Sequence, residues 1–423
     1  MQHTVSFFCA LVFSASVSIA ETSPSRPFPQ HTKYANGAIR PDCVTQRQLD
    51  KTTSDFYAAW KKTYLAAACD PGQFYIRDDD GGSGAAKQTA CVSEGQGYGM
   101  IVTAFMAGHD PRAQEFFDGL FRYYRAHPSR INPRLMAWNQ ITGCKNNPDG
   151  GDDSATDGDL DIAFSLLLAD AQWGSRGEIN YRDEALAIIV AIKKDEVNHD
   201  AWSLKLGDWS SRDEKRYFGT RPSDFMLDHL RSFRDATHDD DWSRVIETCF
   251  RVVGEIQKSH SPDTGLIPDF VTGLDKTPVP AKPHFLEGAH DGSCFYNSCR
   301  VPFRLGVDFL MTGEPRAKIA CAKIGAWLKT ATGGDPEKIR AGYKLDGKII
   351  DRDDTSMAFT ACFAVGAMCD AANREWLNAL WKNIAASDSP DDKYFARTLK
   401  MQCLIALSGN WWNPPANQIV KSR

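Results

Sequence analysis

Past its N-terminus the sequence has no apolar run approaching the roughly 18 residues that a membrane-spanning helix requires. It contains no Cys-x-x-Cys pair and only ten histidines, so a zinc site is a poor fit. It has no basic surplus: 49 Lys and Arg stand against 54 Asp and Glu, a formal charge of −5. A nucleic-acid-binding chain would show a positive excess. Strand-like alternation is sparse, and the fixed repeat period of a solenoid is missing. Neither a membrane nor a nucleic acid is therefore expected as partner, and no metal or cofactor is called for. What remains is a chain of 423 residues, 42% hydrophobic and 24% charged. That is apolar enough for a sizeable core and too weakly charged for a disordered chain. A monomer acting on neutral or cationic partners is expected.

The N-terminus reads as an export signal over residues 1–20. Val5 to Val17 is a short apolar stretch, and Ser18-Ile19-Ala20 supplies small residues before a cleavage point. A first core strand is the competing reading. Residues 21–40, with Pro24, Pro27 and Pro29, are expected to be a loose leader, and 41–423 one catalytic domain. Of twelve cysteines, Cys9 falls in the signal. Export permits disulfides among the other eleven, and the odd number leaves at least one thiol unpaired.

Apolar residues recur with helical spacing almost throughout. Helices are predicted to begin near Val44, Ser93, Pro111, Asp157, Tyr181, Pro222, Asp240, Gly292, Glu314, Asp353, Ala372 and Asp391. Ser93 with Gln96 has the form of a capping box. Twelve helices in series make six hairpins, and closing these in a ring gives an all-α (α/α)6 barrel. Two connections, 128–156 and 259–291, are long and rich in proline or glycine, as functional loops are.

Three stretches carry candidate chemistry. In Cys91-Val-Ser-Glu94-Gly-Gln-Gly-Tyr98-Gly-Met100, three glycines open a helix at roughly 1 kcal/mol each against alanine. Such a cost points to close approach by a ligand or a neighbouring helix. The helix dipole there favours an ionised Glu94, so a general-acid role needs burial or a second acid to prevail. The second stretch, Asp149 to Asp161, holds six carboxylates in thirteen residues. Read as a calcium loop from Asp157, it has Ile162 where glycine is required and Leu168 where the closing glutamate belongs. A solvated turn with Thr156 as helix cap is the plainer reading. Asp157 and Asp161, four apart, share one face of an apolar helix. The third stretch, His284 to Arg304, sets acids before a helix carrying Arg300 and Arg304, which suits paired hydrogen bonds to a carboxylate or sugar hydroxyl. Tyr98, Trp138, Trp173, Trp202, Trp209, Tyr217, Phe218 and Tyr296 lie near these stretches. Two or three are expected to be flat platforms for sugar rings.

Ser93-Glu94-Gly95-x-Gly97-Tyr98-Gly99-Met100 together with Ala155-Thr156-Asp157-Gly158-Asp159-x-Asp161-Ile162-Ala163 resembles glycoside hydrolase family 8. Met136-Ala-Trp138, Ala169-Asp-x-x-Trp173-Gly174, Tyr217-Phe218, Gly265-Leu-Ile-Pro268-Asp269 and Arg300 extend the resemblance over roughly residues 45 to 410. It implies inverting endo-hydrolysis of β-1,4-linked glycans, with Glu94 as general acid and Asp157 holding the sugar at the cleavage subsite. Tyr98, Trp138, Tyr217, Asn297 and Arg300 would bind substrate. One position departs from the common pattern: Tyr296-Asn297-Ser-Cys-Arg300 has Asn where many members carry an Asp base. The chain resembles the subgroup with Asn there and a glutamate on the preceding loop, a place Glu287 fits. That subgroup is similar to chitosanases and lichenases, some also acting on carboxymethyl cellulose. Inversion would need the Glu94 and Glu287 carboxyls about 6.5–9.5 Å apart, leaving room for water. A xylan-active member, a glycan-binding relative without catalysis (favoured by Asn297, opposed by Glu287) and a calcium-dependent module are the alternatives.

Overall fold

The computed structural model describes residues 23–80, 89–389 and 391–415. The expected export signal and Cys9 lie outside them. Twelve α-helices follow the predicted series: α1 Gln46–Tyr64, α2 Ser93–Phe105, α3 Ala113–Ala126, α4 Thr156–Trp173, α5 Tyr181–Asp195, α6 Leu227–Thr237, α7 Asp241–Ser259, α8 Val301–Thr312, α9 Pro315–Thr332, α10 Met357–Ala367, α11 Arg374–Ala386 and α12 Tyr394–Leu407. The even-numbered helices pack in sequence, α2 on α4, α6, α8, α10 and α12, and α12 returns to α2. That closed inner ring inside six outer helices is an (α/α)6 barrel.

Burial explains which helix goes where. Nearly every residue of α2, α4, α10 and α12 is buried, so these have no polar face to offer solvent. Outer helices such as α3 and α7 bury one stripe and expose the other. The glycines opening α2 are there for helix–helix approach. A methyl on Gly97 would lie 2.7 Å from Cβ of Asp161 on α4, and one on Gly158 would lie 2.6 Å from the Ser93 carbonyl carbon. Gly158→Ala is therefore expected to lose about 1–3 kcal/mol through overpacking, read as a lower midpoint in urea unfolding.

Two expected caps do not form. Ser93 begins α2 without a side-chain cap bond, and its Oγ, like that of Thr156 on α4, has no partner. Gln96 instead turns inward, donating to the carbonyls of Phe74 and Leu120. A capping box does close at Thr45 and Gln48, opening α1.

The segment expected as a loose leader is pinned. Backbone N–H groups of Ser25, Phe28, Thr32, Ala35 and Ile39 donate to the carbonyls of Gln172, Ala107, Gly409, Leu310 and Met368 at 2.7–2.9 Å. These acceptors sit at the C-terminal ends of the inner helices, where carbonyls lack intrahelical partners. An extended strand supplies the donors, so 23–40 crosses the base of the barrel as a strap.

The opposite end of the barrel carries the loops and their small antiparallel ribbons. Thr89–Val92, Asn139–Ile141 and Lys145–Asn146 form one, which draws the 128–156 connection onto the start of α2. A disulfide between Cys69 and Cys144 ties the same connection down. Among the described residues nine further cysteines form no disulfide, eight of them buried.

Candidate active site

A cleft of about 950 Å³ lies across this end of the barrel. The first turns of α2, α4, α10 and α12 and the turn leading into α8 line it, together with Trp138, Asp153, Trp209, Arg221, Leu286 and Glu287 from the loops. The inner helices thus aim their N-terminal, partly positive ends at the cleft floor.

Glu94 is placed by its neighbours in sequence. Val92 ends a strand, and the Ser93 N–H continues the ladder by donating to the Trp138 carbonyl at 2.9 Å. The chain then turns into α2 with the carboxyl of Glu94 facing the cleft, its side chain 15% exposed. Oε1 accepts from the Tyr394 hydroxyl at 2.9 Å. Oε2 accepts from Nη1 of Arg300, which also donates to Asp157 Oδ2 at 3.1 Å and the Tyr98 hydroxyl at 3.0 Å. Arg221 reaches the same Asp157 oxygen at 2.9 Å, and the Gly158 N–H holds the other.

These contacts separate the two carboxyls electrically. Burial pushes Glu94 up to about 7, Arg300 pulls against it, and the charge of Asp157 adds to the rise. Burial acts on Asp157 too, but Arg221 and Arg300 outweigh it and hold Asp157 below the usual carboxylate range. One carboxyl is left to carry a proton near neutrality while its neighbour stays ionised, the pattern that assigns an acid and an electrostatic partner. The helix dipole, which opposes protonation of Glu94, is the weaker influence.

Glu287 stands exposed on the far loop. Asp291 shapes that loop, accepting the backbone N–H groups of Leu286, Glu287 and Gly288 at 2.7–3.1 Å. The Asn297 amide lies between the two sides of the site. Its Nδ2 donates to Glu287 Oε2 at 2.7 Å, and its Oδ1 accepts from Arg300 Nη2 at 2.9 Å. Glu94, Arg300, Asn297 and Glu287 thus form one continuous chain of hydrogen bonds. Asp269, buried beneath, fixes the turn by accepting from the N–H groups of Phe295, Asn297 and Ser298.

Of the predicted site residues, Glu94, Asp157, Glu287, Trp138, Asn297 and Arg300 line the cleft. Tyr98 does not: it is fully buried behind Arg300 and supports it. Tyr217 also lies away from the cleft-lining set, packed edge-on against Phe218, and its carbonyl accepts from the Asn198 amide at 2.8 Å. The expected sugar platforms narrow to Trp138, 36% exposed, Trp209 and Tyr296. Arg221, Tyr394 and Phe395 were not foreseen. Arg221 sits three residues beyond Phe218 with no periodic signal, and Tyr394 is joined to Glu94 across 300 residues of sequence. Among the described residues, no cluster of His, Cys, Asp or Glu is arranged to hold a metal ion.

Known proteins share this fold. The sequence profile of Glycosyl hydrolases family 8 matches residues 27–409. The chain is 44% identical over 405 residues to a beta-glucanase of Niallia circulans, covering 96% of each. It is 40% identical over 409 residues to an endoglucanase of Bacillus sp. strain KSM-330, covering 96% of this chain and 86% of that one. A beta-1,3-1,4-glucanase structure from Paenibacillus sp. X4 superposes with a TM-score of 0.87 at 45% identity, over 92% of this chain and 100% of that one. A profile match and relatives that span nearly the whole barrel, acid helix and loops included, place the chain in glycosyl hydrolase family 8, and it is a glycoside hydrolase.

Proposed function

We propose that this enzyme is an inverting endo-glycosidase that cuts β-1,4 linkages in β-glucans, with mixed-linkage β-1,3-1,4-glucan as its preferred substrate and chitosan and carboxymethyl cellulose as the next to test. The observation that carries the reading is the pair of carboxyls on opposite arms of one cleft, Glu94 on a helix start and Glu287 on a clamped loop, linked through Arg300 and Asn297. The choice of glucan follows the names of the relatives most similar in sequence.

Glu94 protonates the glycosidic oxygen as the bond breaks. Glu287 takes a proton from a water on the opposite face of the ring, and that water attacks the anomeric carbon. Asp157, kept ionised by Arg221 and Arg300, grips the sugar hydroxyls at the cleavage subsite. Asn297 stands where many relatives carry an aspartate base. As an amide it donates to Glu287 and leaves that carboxyl as the base, which supports membership of the Asn-bearing subgroup.

Export from the cytoplasm is part of the same proposal. The apolar N-terminal stretch supports it, and so does the Cys69–Cys144 disulfide, a bond favoured in oxidising compartments. The test is reducing-end release on lichenan, chitosan, carboxymethyl cellulose and xylan, with proton NMR of the first product. Lichenan is expected to be cut fastest, and the α-anomer signal is expected first. An early β signal would refute inversion, and a xylan preference would refute the substrate choice.

A further inference from the structure

Two layers of ionic contacts are stacked inside the barrel. In the upper one, at the cleft floor, Asp157 on α4 accepts from Arg221 and Arg300 at 2.9 and 3.1 Å. Asp161, one turn further along α4, and Arg304, four residues past Arg300 on α8, repeat the arrangement outside the cleft-lining set. Asp161 Oδ2 accepts from Arg304 Nη2 at 3.0 Å, and its Oδ1 lies 2.9 Å from His229 Nε2. His229, on α6, thus stands to Asp161 as Arg221 stands to Asp157. Because α6 lies between α4 and α8 in the ring, these side chains join three inner helices beneath the site.

His229 is fully buried and has an acceptor on each side. Its Nδ1 lies 2.9 Å from Asp228 Oδ1, and the other Asp228 oxygen accepts the Trp411 indole N–H at 3.3 Å. A neutral imidazole carries one N–H, and a carboxylate only accepts, so a neutral ring leaves one of its two carboxylate contacts without a proton. An imidazolium supplies both. The ring also lies flat on Phe164, centroids 3.7 Å apart and planes 9° from parallel, a stacking that favours a cation. Asp161 and Asp228 then balance Arg304 and His229, in an interior where an unmatched charge is costly.

We propose that His229 is held as an imidazolium through neutral pH, that Asp161, Asp228, His229 and Arg304 form a charge-neutral cluster, and that this cluster positions the Asp157–Arg300 pair one turn above it. His229 is a positioning residue, since it does not reach the cleft. Burial works against its charge, but Asp228 and then Asp161 outweigh burial and raise His229 above its ordinary 6.5. Burial works against the charge of Asp228 too, and His229 and Arg304 hold it below the usual carboxylate range. Besides these four, Tyr98 on α2 and Asp224 ahead of α6 face Arg304, and Asp308 on α8 faces Asp228. The cluster's contribution to stability is full below 6.5, where an unfolded histidine also holds its proton, and fades as pH rises through the higher folded value.

The charge is read first in the wild-type enzyme, from nitrogen-15 spectra of labelled histidine rings at pH 7.5. Two protonated ring nitrogens are expected for His229, assigned by the loss of its signals in a His229→Gln/Asp228→Asn double variant. A bare nitrogen at that pH overturns the proposal. His229→Gln alone leaves one negative charge unmatched, and its urea midpoint is expected to fall. Adding Asp228→Asn restores neutrality and is expected to recover more than half of that loss, or to restore folding if the single variant does not fold. Loss of packing alone predicts the reverse, so a double variant less stable than the single one also overturns the proposal. The positioning role rests on Glu94 as the acid. Removing a buried cation beneath Glu94 favours its protonated form, so the alkaline limb of kcat is expected to move up by about half a pH unit or more in His229→Gln, and back in the double variant. The optimum rate is expected to fall about ten- to a hundredfold as the pair above shifts. A limb that stays in place refutes the positioning role. If the wild type shows no such limb, the reading of Glu94 fails, and the cluster is decided by the ring spectrum and the unfolding midpoints.

Discussion

Glu94→Gln is expected to lower kcat on lichenan by about 10²–10⁴-fold or more, the usual worth of a placed general acid, while leaving oligosaccharide affinity near that of the wild type. The amide oxygen can accept from Arg300 while its NH2 donates to the Tyr394 hydroxyl, so the cleft keeps its shape. What it lacks is a proton to give. The wild-type profile makes the same point from the other side. Burial and the nearby Asp157 hold Glu94 up to about 7, and the acid works only when protonated. Activity is therefore expected to be full below that value and to fall as pH rises through it. The variant's residual rate should show no such limb. A variant that keeps more than a few percent of the wild-type rate, or retains the limb, would show that the acid is another group.

The barrel was legible because its pattern is local. Twelve apolar periodicities separated by breakers predict twelve helices, and most appear within a few residues of their expected starts, while the one expected near Gly292 begins nine residues later at Val301. Helix caps were less legible, since Ser93 and Gln96 match a capping box in sequence while tertiary contacts with Phe74 and Leu120 claim the Gln96 side chain. The strap at 23–40 was invisible for a related reason. Its proline-rich composition reads as loose, and its order comes from carbonyls at the ends of helices far along the chain.

In the site, motif residues on helix starts were found and partners from distant segments were not. The glycines at 95, 97 and 99 gave the sequence hint of how close neighbouring segments stand. Gly95 leaves space where a methyl would lie 2.7 Å from the Tyr394 hydroxyl.

The base is where sequence left most open, with Asp269, Asp275, Glu287 and Asp291 all within reach of the same loop. The structure distinguishes them by what each already holds. Asp269 is committed to four donors beneath the turn. Asp275 is on the surface beside Lys276. Asp291 is saturated by three backbone N–H groups of the Glu287 loop. Glu287 lines the cleft with Oε2 held by the Asn297 amide. Glu287→Gln is thus expected to lose about 10²–10⁴-fold in kcat with little change in KM. Azide is expected to restore turnover by attacking the anomeric carbon in place of the activated water, from the face opposite the leaving group, which gives an α-glycosyl azide with inversion. Asp291→Asn should also be impaired, because its amide cannot accept as many N–H groups and the loop drifts. That loss should fall on KM as well as kcat, and azide should not repair it, since the base is displaced rather than missing. Asn297→Asp is the sharpest control: the new carboxylate would still accept from Arg300 but would repel Glu287 instead of donating to it, and the rate should fall although an acid has been added. If Glu287→Gln retains near wild-type activity, the base is another group, and the role given to Glu287 fails.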